Sequence, residues 1–285
     1  MKPPEFGYSR PESVAEALAV LGSLGPDGKV LAGGQSLVPL LNLRLASPGH
    51  LVDINALAGL GYVRAGRGEV VIGALARHAQ VLADQAARSV QPLLAMALAH
   101  VAHPVIRNRG TTVGSIVHAD PASEMTAVLA LLGGSVRLAS TDGERVVAAD
   151  RFFLGSFEAD VRPGELATEV VVPALPPRAG CAFTEISRRR GDYAICGAAA
   201  TVALSADGSI ERVRAAYLSV GPAPVVLDLT ESAGDPESAA RLATERIETS
   251  GDIHATADYR RHLVGVVTRR ALTAALAHAR GRADG

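Results

Sequence analysis

The sequence predicts an α+β fold in which a short α/β unit comes first and an antiparallel sheet comes last. Strand-like segments at residues 29–32 and 51–54 flank a short helical segment, which is a βαβ-like arrangement. The segment EVVVPALPPRAG then places three prolines at the end of a strand, a pattern typical of a domain boundary. Beyond it, apolar segments separated by turn residues predict a three-stranded antiparallel sheet followed by helices.

The first helix is expected directly after the opening segment FGYSR. Pro11 can occupy its first position, and apolar residues recur at helical spacing from Val14 to Leu21. The turn residues of GPDGK end this helix. A second, shorter helix is expected over residues 37–45, between the two strands of the βαβ-like unit.

Two hairpin patterns occupy the middle of the chain. The first is YVRAGRGEVVIGA and the second is SVRLASTDGERVVAA, in which Asp142 and Gly143 mark the turn. A helix is expected between them, from about residue 86 to His100. In the C-terminal part, the strands are expected over 182–186, 198–204 and 213–220, and the helices over 236–248 and 258–280.

Composition limits the classes of partner. The 285 residues carry 28 basic and 29 acidic side chains, a formal charge of -1, so the net charge offers no global attraction to nucleic acid or to an anionic membrane, and we expect no nucleic-acid partner. No apolar segment approaches the ~20 residues that span a bilayer, and the N-terminus lacks the apolar core of a signal peptide. Two cysteines fit a reducing compartment. We therefore expect a cytoplasmic protein without a membrane span.

A metal site is not expected either. Three histidines, His100, His103 and His118, offer nitrogen ligands that would suit zinc. However, Pro104 interrupts the helix directly after His103, and the spacing fixes no carboxylate nearby.

A glycine pair in VLAGGQSLVPL is the first candidate for a binding site. Gly33 and Gly34 end a strand, and without Cβ atoms their backbone amides stay open to an anion. Three known motifs fail here: the Gly-x-Gly-x-x-Gly dinucleotide fingerprint, the Gly-x-Ser-x-Gly nucleophile elbow and the P-loop. Asp53 does follow at the distance that the dinucleotide fingerprint requires. A phosphate-binding loop and a plain strand-to-helix turn both remain open.

A second loop favours the phosphate alternative. The segment IRNRGTTVGSIVHADPASE offers small residues with accessible amides and hydroxyls, and Asp120 is placed to accept hydrogen bonds from ribose or flavin groups. Two separate loops of this kind suit a dinucleotide, because its diphosphate must be held from both sides.

These two segments, together with FGYSRPES, RRRGDYAICG and ADYRRHLVGVVTRRAL, closely resemble the FAD-binding medium subunit of aerobic carbon monoxide dehydrogenase and of the wider xanthine dehydrogenase family of molybdenum hydroxylases. The resemblance covers essentially the whole chain in the same order. It implies two small α/β FAD-binding subdomains, residues 1–57 and 58–175, and a C-terminal α+β domain, residues 176–285, with the three-stranded antiparallel sheet.

The resemblance also implies the cofactor site. The two glycine loops would grip the diphosphate of FAD, Ile106 and Asp120 would line the same pocket, and Tyr193 would set its ring over the isoalloxazine. An ordinary core position is the alternative for Tyr193, and helix capping is the alternative for Gln35 and Ser36. The implied FAD-binding residues are Ala32, Gly33, Gly34, Gln35, Ser36, Leu37, Ile106, Gly110, Thr111, Gly114, Ser115, Asp120, Asp192 and Tyr193.

The function implied is that of an electron-transfer subunit in a heterotrimer. Electrons would come from a small 2Fe-2S subunit, which draws them from a large molybdenum-cofactor subunit, and would pass through FAD to NAD, a quinone or oxygen. No residue of this chain is then required as a general acid or base. The alternatives are a stand-alone flavoprotein oxidase or reductase, and a non-catalytic scaffold subunit that has lost FAD.

Two departures from the family pattern concern the flavin. Val113 stands where relatives usually have a glycine, and a valine there is strained if the position needs a positive φ. Thr184 and Glu185 stand where relatives often have a lysine close to the flavin. A flavin anion would then need another positive partner, for which Arg188 is the candidate.

Overall fold

The computed structural model describes residues 2–66 and 68–283. Its N-terminal part is a small parallel sheet with the strand order β1-β3-β2. Both β1 and β2 pair with β3 in parallel. The elements are β1 (Gly7–Ser9), α1 (Val14–Leu24), β2 (Gly28–Leu31), α2 (Leu37–Asn42) and β3 (His50–Asp53).

Helix α1 begins later than the sequence suggests. Its N-cap is Ser13, whose hydroxyl accepts a hydrogen bond from the amide of Glu16 at 3.1 Å, so Pro11 lies outside the helix. A serine three residues before a glutamate is a strong N-terminal signal, and here it outweighs the proline. Helix α2 is also shorter than expected, because it ends at Asn42.

The middle part is a five-stranded antiparallel sheet with the strand order β4-β5-β10-β6-β7. Both hairpins predicted from the sequence are present as β4-β5 and β6-β7. Helices contact this sheet, and a small two-stranded pair, β8-β9, lies between β7 and β10 in the chain. The elements are β4 (Val63–Ala65), β5 (Glu69–Gly73), α3 (His78–Ala83), α4 (Gln85–Val90), α5 (Pro92–Leu98), α6 (Pro104–Arg107), α7 (Thr112–His118), α8 (Glu124–Leu132), β6 (Ser135–Ser140), β7 (Gly143–Ala148), α9 (Ala149–Phe152), β8 (Phe153–Gly155), β9 (Glu158–Ala159) and β10 (Leu166–Pro173).

The helix expected from residue 86 to His100 is divided into α4 and α5. Pro92 is the first residue of α5, and it keeps Gln91 out of the helical conformation, at φ -140 and ψ 84. The Gln91 side chain is buried and donates a hydrogen bond to the carbonyl of Pro173 at 2.8 Å. The break therefore ties this pair of helices to the end of β10.

The C-terminal part is an antiparallel sheet with the strand order β11-β12-β13-β14. The three strands predicted from the sequence are present, and a fourth, β14, adds to them by pairing with β13. Four residues directly after the proline-containing segment GPAP are too short a pattern to predict a strand. The elements are β11 (Ala179–Ile186), β12 (Cys196–Leu204), β13 (Ile210–Leu218), β14 (Val225–Asp228), α10 (Pro236–Arg246) and α11 (Ala257–Ala283).

The C-terminal sheet is covered on both faces. Helix α11 packs on one face, close enough that a Cβ on Gly180 would collide with the backbone of Ala275 and Ala279. On the other face, α5 and α8 of the middle part contact β11 and β13, and their side chains share one core. This packing places the loop between β11 and β12 beside the helices of the middle part. The boundaries at residues 57 and 175 remain predictions.

Within the residues that the structure describes, no helix is both long and apolar enough to cross a membrane.

Candidate functional site

The two glycine loops of the sequence meet in the structure. The first lies between β2 and α2, and the second lies between α6 and α7. Gly33 is buried against the second loop, where a Cβ would lie 2.5 Å from the carbonyl oxygen of Arg109 and 2.8 Å from the Cα of Gly110. Only glycine permits two backbones to approach so closely.

In the first loop a row of backbone amides has no acceptor among the described residues. Gly34 has a φ of +73°, and the Gln35 side chain donates to the carbonyl of Gly33 at 3.0 Å. Among the described residues, no acceptor takes a hydrogen bond from the amides of Gly33, Gly34, Gln35 and Ser36. The Ser36 side chain makes no capping bond, and Leu37 begins α2. Consecutive free amides beside a second backbone form a concavity suited to an anion.

The second loop is rigid because Thr111 caps α7. Its hydroxyl accepts a hydrogen bond from the amide of Gly114 at 3.2 Å, and a Cβ on Gly114 would lie 2.5 Å from that hydroxyl. Gly110 faces His78, whose ring would lie 2.9 Å from a Cβ there. One turn further, the hydroxyl of Ser115 lies 3.0 Å from that of the buried Ser123. The loop residues Gly110, Thr111, Gly114 and Ser115 thus lie together, with Ile106 half-buried in the preceding helix.

Val113 is not strained. It is the second residue of α7, has a helical rather than a positive φ, and is 2% exposed in the main core. Because the position does not need a positive φ, the condition on which the expected strain depended is not met.

Asp120 and the Gly191–Asp192–Tyr193 segment lie at the other end of α7. The Asp120 carboxylate accepts from the amide of Ala122 at 2.9 Å and holds the turn into α8. Gly191 has a φ of +88° and lies against the His103 ring, so both space and backbone conformation require glycine. Tyr193 is 72% exposed, which contradicts the core alternative for this side chain.

A cavity of about 680 Å³ lies between the middle part and the C-terminal sheet. Among its lining residues are four that the sequence analysis had placed near the flavin, namely Asp120, Arg188, Asp192 and Tyr193. The segments around Ser219 and Asp252 also line it, and sequence reasoning missed both because neither carries a motif. Helix α7, which is about 10 Å long, lies between Thr111 and the turn at Asp120.

A buried acidic group lies under this region. The Glu185 side chain is 4% exposed, and one of its oxygens lies 3.3 Å from the Nδ1 of His100. Its other oxygen is buried without a hydrogen-bond partner among the described residues.

A second acidic side chain, Glu124 at the start of α8, has a shifted pKa. Burial, reinforced by the charges of Glu185 and Asp120, raises the pKa of Glu124 to about 8. Glu124 is therefore mostly protonated at pH 7.

The three histidines have separate surroundings. His100 pairs with Glu185, His103 lies against Gly191, and the His118 ring packs on Phe157 with centroids 5.1 Å apart. In residues 2–66 and 68–283, no three His, Cys, Asp or Glu side chains converge as metal ligands.

Comparison with known families assigns the chain. Residues 4–175 match the model for the FAD binding domain in molybdopterin dehydrogenase, and residues 181–275 match the model for the CO dehydrogenase flavoprotein C-terminal domain. The chain belongs to the family of FAD-binding medium subunits of molybdenum hydroxylases. The resemblance drawn from the sequence, the α+β fold class and FAD as the cofactor are confirmed.

Two relatives match this chain over nearly its full length and over nearly their own. The 6-hydroxypseudooxynicotine dehydrogenase complex subunit alpha of Paenarthrobacter nicotinovorans is 42% identical over 288 residues, 98% of this chain and 97% of the relative. The carbon monoxide dehydrogenase medium chain of Hydrogenophaga pseudoflava is 35% identical over 285 residues, 97% of this chain and 99% of the relative.

Solved structures agree with this assignment. Carbon monoxide dehydrogenase from Hydrogenophaga pseudoflava superimposes with a TM-score of 0.90 at 36% identity, covering 98% of this chain and 99% of that one. Quinoline 2-oxidoreductase from Pseudomonas putida superimposes with a TM-score of 0.88 at 36% identity, and the match covers 99% of this chain and 100% of that one. The chain is thus a flavoprotein subunit of an oxidoreductase of the carbon monoxide and xanthine dehydrogenase type.

The residues present fit FAD. The free amides of the first loop face a second glycine loop across a gap that a single Cβ would fill. The cavity beyond α7 has room for a three-ring system beside an exposed tyrosine.

Proposed function

We propose that this medium subunit carries electrons through FAD, from the 2Fe-2S clusters of a small partner subunit to an external acceptor. The observation that supports it best is the pairing of four free amides, Gly33 to Ser36, with the second glycine loop. Bound FAD supplies two-electron redox chemistry in which electrons can also be exchanged singly. The chain itself binds the cofactor, orients it and sets its electrostatic surroundings.

In this proposal the two parts of FAD lie at the two ends of α7. The diphosphate binds the loops, through Ala32, Gly33, Gly34, Gln35, Ser36, Leu37, Gly110, Thr111, Gly114 and Ser115. The flavin ring enters the cavity, where Tyr193 is free to stack on it and Asp120 and Asp192 line the walls. Ile106, in the helix before the second glycine loop, supplies an apolar contact to the cofactor. The arginines Arg188 and Arg260 line the cavity, and because Arg260 is paired with Asp252, Arg188 is the candidate positive partner of a flavin anion.

Partners are proposed from the relatives. Several are named as subunits of complexes, such as the subunit alpha of a dehydrogenase complex and the medium chains of carbon monoxide dehydrogenase. For this chain we propose a heterotrimer in the cytoplasm, with a 2Fe-2S subunit and a molybdenum-cofactor subunit as its partners. The hydroxylase substrate is then selected on the large subunit, and the acceptor is NAD, a quinone or oxygen.

The first test is the visible absorption spectrum of the chain purified alone, with the heat-released chromophore identified by chromatography. A flavin spectrum and release of FAD are expected. A sample that stays colourless after incubation with excess FAD would contradict the proposal and favour a scaffold subunit. That alternative has lost its structural support, because Val113 is an unstrained helical residue.

The second test concerns electron flow. The FAD-loaded chain is reduced chemically without oxygen and mixed in separate experiments with NAD, a water-soluble quinone or oxygen. Rapid reoxidation by one of them identifies the acceptor. Turnover of a hydroxylase substrate by the isolated chain would instead support the stand-alone enzyme.

A further inference from the structure

A continuous path of side-chain hydrogen bonds joins the two glycine loops. Arg77, in the turn between β5 and α3, donates from Nη1 to the carbonyl of Arg109 at 2.5 Å and from Nη2 to Oδ1 of Asn55 at 2.7 Å. Asn55 in turn donates from Nδ2 to the carbonyl of Ala32 at 2.8 Å. The path thus begins in the first loop and ends in the second.

Both ends of this path are held firmly. Asp53 accepts from the amide of Asn55 at 2.9 Å and, with its other oxygen, from the hydroxyl of Tyr8 at 2.7 Å, so the Asn55 side chain has a fixed orientation. Arg77 pairs with Thr111 in an isolated β-bridge. The bridge is closed by two hydrogen bonds, from His78 to the carbonyl of Gly110 at 2.9 Å and from Thr112 to the carbonyl of Ala76 at 3.1 Å.

The path also brings positive charge to the junction of the loops. The pKa of Arg77 is lowered by burial and by the positive charge of Arg109, while Asp53 opposes the shift. Two guanidinium groups therefore lie near one carboxylate, which already accepts hydrogen bonds from neighbouring groups. Such a surplus of positive charge is stabilised by an anionic ligand.

We propose that Arg77 is a positioning residue for the diphosphate of FAD: through Asn55 and the Arg109 carbonyl it sets the spacing of the two glycine loops. The inference rests on the proposed function. Arginine suits the task because its planar fork presents two donors in fixed directions, whereas lysine offers one compact ammonium group that does not reach both acceptors with that geometry.

The test compares Arg77→Lys and Arg77→Met with the wild-type chain, using FAD and riboflavin as probes. Dissociation constants are measured by fluorescence titration at several salt concentrations, and the thermal midpoints of the FAD-free chains are measured beside them. Loss of hydrogen bonds from a charged donor is expected to weaken FAD binding by about ten- to a hundredfold in both variants. Riboflavin, which has no diphosphate, is expected to bind each variant as it binds wild type.

The control is Arg64→Lys, an exposed arginine that stacks on Tyr62 away from the loops. It is expected to leave FAD affinity unchanged. Full wild-type affinity in Arg77→Lys would overturn the proposal, because charge alone would then suffice. An equal loss of FAD and riboflavin would also overturn it, since a general structural role predicts that result.

A second variant keeps the question decidable if Arg77 variants do not fold. Asn55→Asp retains the size of the side chain but removes the donor to the Ala32 carbonyl, so it is expected to weaken FAD binding selectively as well. Unchanged FAD affinity in Asn55→Asp would then contradict the proposal. If the wild-type chain does not bind FAD, the proposed function is contradicted. If the wild-type chain binds FAD and the variants bind it equally well, only the positioning role of Arg77 is contradicted.

Discussion

Replacing Glu124 by glutamine is expected to remove a pH dependence from the stability of the folded chain. Glu124 is the first residue of α8, and burial raises its pKa from 4.5 to about 8, with further contributions from Glu185 and Asp120. The folded chain therefore keeps a proton that the unfolded chain releases at a much lower pH.

The sign and size follow from this difference. Between pH 4.5 and 8 the folded state binds more protons than the unfolded state, so the free energy of unfolding falls as the pH rises through this range. The difference between 4.5 and about 8, at about 1.4 kcal/mol for each pH unit, sets an upper limit of about 5 kcal/mol. Glutamine is neutral throughout, so the variant is expected to lose this slope and to be more stable than wild type at pH 8.

The assay is urea unfolding of the FAD-free chain at pH 5.5, 6.5, 7.5 and 8.5, followed by circular dichroism. The matched control is Glu211→Gln, a change at an exposed glutamate of β13. Wild type and the control are expected to lose stability in parallel as the pH rises, while Glu124→Gln loses less. Equal slopes for wild type and Glu124→Gln would refute the reasoning, since the carboxyl would then titrate alike in both states.

Three further predictions concern the loops, α7 and the thiols. Gly33→Ala forces a Cβ to within 2.5 Å of the Arg109 carbonyl, so we expect FAD titration to show a loss of about 1–3 kcal/mol in binding free energy. The control is Gly59→Ala, whose Cβ meets open space. Equal FAD affinities for the two variants would contradict the expected effect of the close contact at Gly33. Val113→Gly is expected to lower the free energy of unfolding by about 2–4 kcal/mol without improving FAD affinity, because it removes a buried side chain from a helix; tighter FAD binding would revive the idea of a strained valine. Burial raises the pKa of both Cys181 and Cys196 to about 12, so iodoacetamide at pH 8 is expected to label them only after unfolding, and rapid labelling of the native chain would count against this.

Local patterns were sufficient for much of the fold. The hairpin at Asp142 and Gly143 was predictable because its turn residues and strand alternation are contiguous in sequence. The helix from residue 86 to His100 was predicted as one element because apolar spacing continues across Pro92, which instead begins a new helix. Strand β14 was not predictable, because it is held by pairing with β13 rather than by its own four residues.

The candidate site also combines features that local sequence patterns predict with features that depend on tertiary contacts. The glycine pair at Gly33 and the loop around Thr111 could be found from the sequence, because each is a run of small residues at a strand end or helix start and both match the family pattern. Their contact could not be, because it depends on the packing of two sheets. Arg77 and Asn55 carry no motif at all, and their role depends on hydrogen bonds to residues 22 or more positions away.

The contact between Gly33 and Gly110 also has a kinetic consequence. The first loop follows β2, and neither β1 nor β2 contains a fully buried residue, so this layer is joined to the main core chiefly through α1 and β3, by residues such as Leu21 and Val52. A ligand held by both loops must leave before the layer can swing open, and at a hundredfold excess over its dissociation constant it opposes that opening by about 2.7 kcal/mol. FAD release and the first proteolytic cleavage would then require the same opening motion. Newly synthesised chains would resist proteolysis only after they have bound FAD.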